Sequence, residues 1–164
     1  MSKNPASRLL HYVQKTSEPW WKYIPIVFLI AFIPSALISL ALNLVFRPEA
    51  PMDLGELSIP LVLSLVLLAP LLETLIMWPI VSIIQRFIPG QAVVTAIVSA
   101  AVWGIFHGIQ APVWGLTVAW SFFIFSLCFV TWKKLSVFWA IGYVTSIHAM
   151  QNLLAVGYIL MRSG

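Results

Sequence analysis

Residues 87–132 read FIPGQAVVTAIVSAAVWGIFHGIQAPVWGLTVAWSFFIFSLCFVTW, forty-six residues without one Asp, Glu, Lys or Arg. A helix crosses the ~30 Å hydrocarbon core of a bilayer with about 20 apolar residues. The run is therefore twice as long as one span needs. Ala111-Pro112 stands in its middle as a turn signal. Two spans joined by a tight turn follow, placed at 92–110 and 113–131.

Outward from this stretch the same pattern repeats. Residues 23–46 carry no charge, residues 57–85 carry only Glu73, and residues 135–161 carry none. The runs are continuous, without the strict alternation of barrel strands, so helices rather than a β-barrel are expected. Three further spans are read at 24–46, 60–84 and 135–161. The expected fold is all-α: a polytopic membrane helix bundle of about five transmembrane helices. Residues 1–22 form a cytoplasmic or interfacial N-terminal arm, and residues 23–164 a single transmembrane helical domain. The first apolar run is longer than the ~7–15 residues of a signal-peptide core, so it reads as a span. Trp20, Trp21 and Tyr23 suit an aromatic anchor at the membrane surface.

Composition agrees. Of 164 residues, 61% are hydrophobic and 9% charged, against about 25% charged in a typical soluble domain. Too few charges exist to coat a water-soluble globule, and too little polar bulk for disorder. A single cysteine, Cys128, excludes a disulfide framework. The net charge of +4 comes from scattered basic residues, which suits a membrane surface and not a nucleic acid. With five spans, Lys3, Arg8, Lys15, Lys22, Arg86, Lys133 and Lys134 share one side, leaving Arg47 and Arg162 on the other. The Lys/Arg-rich side faces the cytoplasm. The N-terminus is then inside, and the C-terminus and the loop with Glu49, Asp53 and Glu56 outside.

Four of the five acids, Glu18, Glu49, Asp53 and Glu56, fall outside the spans; Glu73 alone falls within one. An acid at bilayer depth costs roughly 2.5–3.5 kcal/mol on the insertion scale and marks a functional site by default. His107 and His148 also lie in spans. For each group a structural hydrogen bond or a satisfied core position is the plainer alternative. The three come from three different helices, so one interior site can collect them. Asn152 follows His148 at i+4, on the same helical face. Gly104 and Gly108 flank His107 with the small-xxx-small spacing that admits a neighbouring backbone. Pro70 and Pro79 bracket Glu73, where a proline frees a carbonyl and bends a span. Counted from the helix ends at 1.5 Å per residue, Glu73 lies roughly 20 Å and His148 roughly 10 Å below the outer surface, a mismatch of about a third of the bilayer.

A carboxylate, two imidazoles and an amide suit hydrolysis by an activated water. Glu73 serves as general base, a histidine beside it holds the water, and His148 and Asn152 donate to the oxyanion that forms on a peptide carbonyl. No Ser–His–Asp set stands out, and Cys128 reads as a small core residue. Zinc held by Glu73, His107 and His148 is chemically allowed, although the HExxH spacing is absent. Two other classes compete. One is a haem-binding carrier with His107 and His148 as axial ligands. The other is a proton-linked transporter or scaffold subunit built on a Glu–His relay.

Glu73 in LLETLIMW, Trp103 and His107 in WGIFHG, and His148 and Asn152 in HAMQN stand in an order that resembles the CPBP family of intramembrane proteases (CAAX protease and bacteriocin-processing, also called Abi). The likeness runs from Leu71 to Asn152 and makes the chain a divergent short member. Thr74 stands where the family pattern has a second Glu, and Trp78 where it has Arg; both replacements are neutral. The resemblance implies a glutamate-dependent protease in which Glu73 and His107 activate water while His148 and Asn152 form the oxyanion hole, with a divalent metal such as zinc as the second choice. It implies as substrate a membrane-associated peptide or protein, such as a prenylated CAAX tail, a bacteriocin-linked peptide or a sorting tail. The lipid bilayer is the other partner, and the location an integral protein of a bacterial cytoplasmic membrane.

Overall fold

A computed structural model of the chain describes residues 4–46 and 58–163. The readings made for Lys3, Arg47, Glu49, Asp53 and Glu56 lie outside the described residues. The described residues hold six helices and no strand: α1 (Pro5–Val13), α2 (Trp20–Phe46), α3 (Ile59–Phe87), α4 (Ala92–Gln110), α5 (Pro112–Trp132) and α6 (Val137–Ser163). Five of them, α2 to α6, are long and apolar enough to cross a membrane. The protein is an all-α membrane helix bundle.

Local chemistry sets the ends. Pro19 O accepts from the N–H groups of Lys22 and Tyr23 at 3.0 Å each, so α2 starts at Trp20, four residues before the expected 24. α3 runs on to Phe87, past the expected 84, and stops where Ile88 precedes Pro89. A residue before proline is driven out of the helical region, and Ile88 has φ −129° and ψ 65°. Gly90 then turns the chain with φ 76°, a backbone conformation that suits glycine. Ala111 is extended and Pro112 opens α5, as Ala111-Pro112 suggested.

Among the described residues the α4–α5 hairpin is packed backbone against backbone. A Cβ placed on Gly115 would lie 2.3 Å from Gly104 O and 2.6 Å from Gly108 Cα. The close approach expected at Gly104 and Gly108 is thus made by α5. Around this pair stand α2, α3 and α6, with α5 as the central helix, buried on all sides from Ser121 to Trp132 apart from Phe123.

α1 folds back against the bundle. Val13 and Tyr23 are fully buried, and the Tyr23 phenol donates to Val13 O at 2.6 Å. Tyr23 meets Trp132 edge-on at 5.2 Å and Tyr143 at 5.4 Å between ring centroids. Trp20 and Trp21 are well exposed and keep the character of surface anchors. Tyr23 does not: it is the centre of an aromatic core, because its ring completes the stack that seals α1 to α2, α5 and α6.

Candidate active site

α3 is not a uniform helix. Ser64–Leu68 form a π-helical turn, in which the Ala69 N–H reaches back five residues to Ser64 O. The next residue, Pro70, has no N–H to give. Leu65 O therefore lacks the donor that either register would send it: Ala69 at i+4 is engaged with Ser64, and position i+5 is the proline. Asn152 of α6 fills the gap, its Nδ2 donating to Leu65 O at 2.8 Å. The link is satisfied across 87 residues of sequence.

One turn beyond Pro70, Glu73 turns inward. Its Oε2 lies 3.8 Å from His148 Nε2, and its side chain is 25% exposed against 9% for His148. That distance exceeds hydrogen-bond reach, and Oε2 is a buried oxygen with no hydrogen-bond partner. One carboxyl oxygen of the acid thus faces an imidazole inside the bundle. The depth mismatch counted from the sequence closes here. α3 has 29 residues, about 43 Å at 1.5 Å per residue, so it overshoots a ~30 Å core and a count from its end overstates depth.

His148 rests on a phenylalanine pad from α5, 4.9 Å from Phe125 and 5.7 Å from Phe122 between centroids. His107 of α4 packs on the same Phe122 at 5.2 Å and edge-on against Trp114 at 4.7 Å. Both imidazoles are buried. His107 Nδ1 lies 2.9 Å from Trp103 O, one turn back. A carbonyl only accepts, so the proton sits on Nδ1 and the Nε2 lone pair is free. Trp103 itself stacks on Phe122 at 4.6 Å.

The structure thus brings Glu73 and His148 into a pair, seats His107 against the shared Phe122, and ties Asn152 to α3. Thr74 is fully buried and its hydroxyl donates to Pro70 O at 2.7 Å, while Trp78 is exposed. One turn apart on the same side of α3, they differ in depth: Thr74 is sealed inside and Trp78 reaches the surface. Among the described residues no three His, Cys, Asp or Glu side chains converge to hold a metal ion. His107 does not join Glu73 and His148 as a third ligand, so the residues do not fit a zinc ion.

Sequence reasoning missed Phe122, Phe125 and Trp114, which give the imidazoles their walls. Their only signal was an aromatic count too high to single them out. It also missed a polar rung beside the site, where Gln151 Nε2 donates to Ser121 Oγ at 2.9 Å and Ser121 meets Ser35 at 2.7 Å. Away from the spans, Lys133 is half-buried, its ammonium donates to Ser82 Oγ at 3.1 Å, and desolvation pulls its pKa below the usual lysine range. Comparison of the chain with protein-family models, with curated proteins and with solved structures finds no match.

Proposed function

We propose that the protein is an intramembrane endopeptidase of the CPBP type, which hydrolyses a peptide bond of a membrane-associated substrate. The observation that carries this reading is the Glu73–His148 pair: an acid and an imidazole from separate spans, 3.8 Å apart at bilayer depth. A structural pair would close to a hydrogen bond, because an unmade one in a buried place is costly. The separation instead suits a small polar molecule touching both groups.

In the proposed reaction, ionised Glu73 takes a proton from water as its oxygen attacks the scissile carbonyl carbon. His107, with its Nε2 lone pair free, helps to orient that water. Negative charge collects on the former carbonyl oxygen and is met by an N–H of neutral His148, a donor held in place by Phe122 and Phe125. Glu73 then passes the proton to the departing amine as the C–N bond breaks. The phenylalanine pad keeps bulk water out, which strengthens each of these interactions.

The substrate proposed is a peptide tail held at the membrane: prenylated CAAX-like, bacteriocin-linked or sorting-tail in kind. The excess of Lys and Arg on the side of α1 and the α3–α4 and α5–α6 turns supports an N-terminus in the cytoplasm, and the family resemblance alone suggests a bacterial membrane. The haem alternative is disfavoured by the carboxyl of Glu73 lying against one of its two required axial ligands.

The test is a comparison of protein termini in membranes carrying the wild type and Glu73→Gln at equal abundance. New peptide ends are expected with the wild type only, and they name the substrate and its cut site. Identical termini in the two samples, with both proteins folded and inserted, refute the proposal.

A further inference from the structure

We infer that Asn152 is a positioning residue which sets the direction of Glu73 through the π-turn of α3, rather than a donor to the reacting carbonyl. This rests on the protease reading for its activity readout but not for its geometry. A π-turn inserts one extra residue into a helix. At 3.6 residues per turn this rotates everything beyond it by about 100° relative to an unbroken helix. Glu73 lies beyond the turn, so its aim at His148 depends on the turn being kept. The turn leaves the part-buried Leu65 O without a backbone donor, because Pro70 cannot supply one, and a carbonyl left unpaired away from water is costly. Asn152 removes that cost with a 2.8 Å hydrogen bond.

Glu73 sits on the packed part of α3, where Thr74, Met77 and Val81 are buried among α4, α5 and α6, and the loosely held part is the turn that precedes it. The outer part of α3, from Ile59 to Leu68, has α6 as its main helical neighbour and stands apart from α2, α4 and α5. Phase about the α3 axis is therefore poorly fixed by packing there. The amide acts from the same helix as His148, one turn away, so acid and imidazole are brought together by one rigid element. Thr74, whose hydroxyl back-bonds to Pro70 O, supports the carbonyl on the other side of the proline. The amide nitrogen lies on a backbone oxygen, and its role is to hold the acid's helix in register.

A double-mutant cycle tests this. Asn152→Leu keeps the volume but removes the donor. Pro70→Ala supplies an N–H at i+5 from Leu65, which serves the same carbonyl without the amide. Asn152→Leu alone is expected to lower kcat about 10- to 100-fold with KM changed less than threefold. The same change in the Pro70→Ala background is expected to cost less than threefold. An equal loss in both backgrounds overturns the inference, since a donor to the reacting carbonyl is indifferent to residue 70.

A second readout needs no turnover. The infrared difference between each protein and its own Glu73→Gln version isolates the carboxyl band of Glu73. The band is expected to shift in Asn152→Leu and to return in Pro70→Ala/Asn152→Leu; an unshifted band in Asn152→Leu overturns the inference. Should Asn152→Leu fail to give folded protein, Asn152→Met carries the same cycle. If membranes with wild type and Glu73→Gln show identical protein termini while the infrared pattern is as expected, the glutamate-protease reading falls and the positioning role stands.

Discussion

The two ends of the bundle are built on different principles. At the arm end, α1, α2, α5 and α6 meet through the rings of Tyr12, Tyr23, Trp132 and Tyr143, the last two stacked at 4.1 Å. The groups buried there are neutral, and the Tyr23 phenol is bonded to Val13 O and lies 3.4 Å from Cys128 Sγ. At the acid end, α3 leans on α6 through a π-turn, and a carboxyl oxygen lies buried with no hydrogen-bond partner. Lipid supplies little hydrophobic drive between helices, so packing and hydrogen bonds hold such a bundle. Both ends hold buried polar atoms with no hydrogen-bond partner, Tyr12 Oη and Trp132 Nε1 at the arm end and Glu73 Oε2 at the acid end, but only the last belongs to a carboxyl group.

The comparison can be broken most severely at the hairpin that joins the two regions. Gly115→Leu would drive a side chain into the backbone of α4, and folded protein is expected to vanish in detergent chromatography. Gly115→Ala is expected to destabilise by about 3 kcal/mol, read by thermal unfolding. At the arm end, Tyr23→Ala is expected to cost about 3–5 kcal/mol and to open α1 to added protease, while the folded fraction keeps its activity per molecule. At the acid end the sign reverses. Glu73→Leu is expected to stabilise by about 1–2 kcal/mol, since it removes an unsatisfied buried oxygen, and to abolish cleavage. A destabilised Glu73→Leu would mean that the two ends are built alike. The smallest effect is expected at Lys133→Met, below about 1 kcal/mol because the group is half-exposed.

Much of the architecture was legible as charge-free runs, because a bilayer forbids charge over a fixed length and so writes span number directly into the sequence. The glycine pair in α4 was legible for a similar reason: spacing on one helix predicts closeness without naming the partner. The role of Tyr23 was not. An aromatic residue after two tryptophans reads as an anchor unless the fold-back of α1 is known. The π-turn was hidden as well. Pro70 announces a missing donor, but where the deficit is made good depends on Asn152, far along the chain and on another helix. For the same reason, an i+4 relation between His148 and Asn152 shows a shared face without showing that the amide lies on Leu65 O.

The contact between Gly115 and α4 has a mechanical consequence. It welds the support of His107 and the phenylalanine pad beneath His148 into one stiff hairpin, with backbone against backbone. The hairpin is the fixed side of the site, so room for a bulky reactant has to come from α3 and α6, the helices that carry Glu73 and His148.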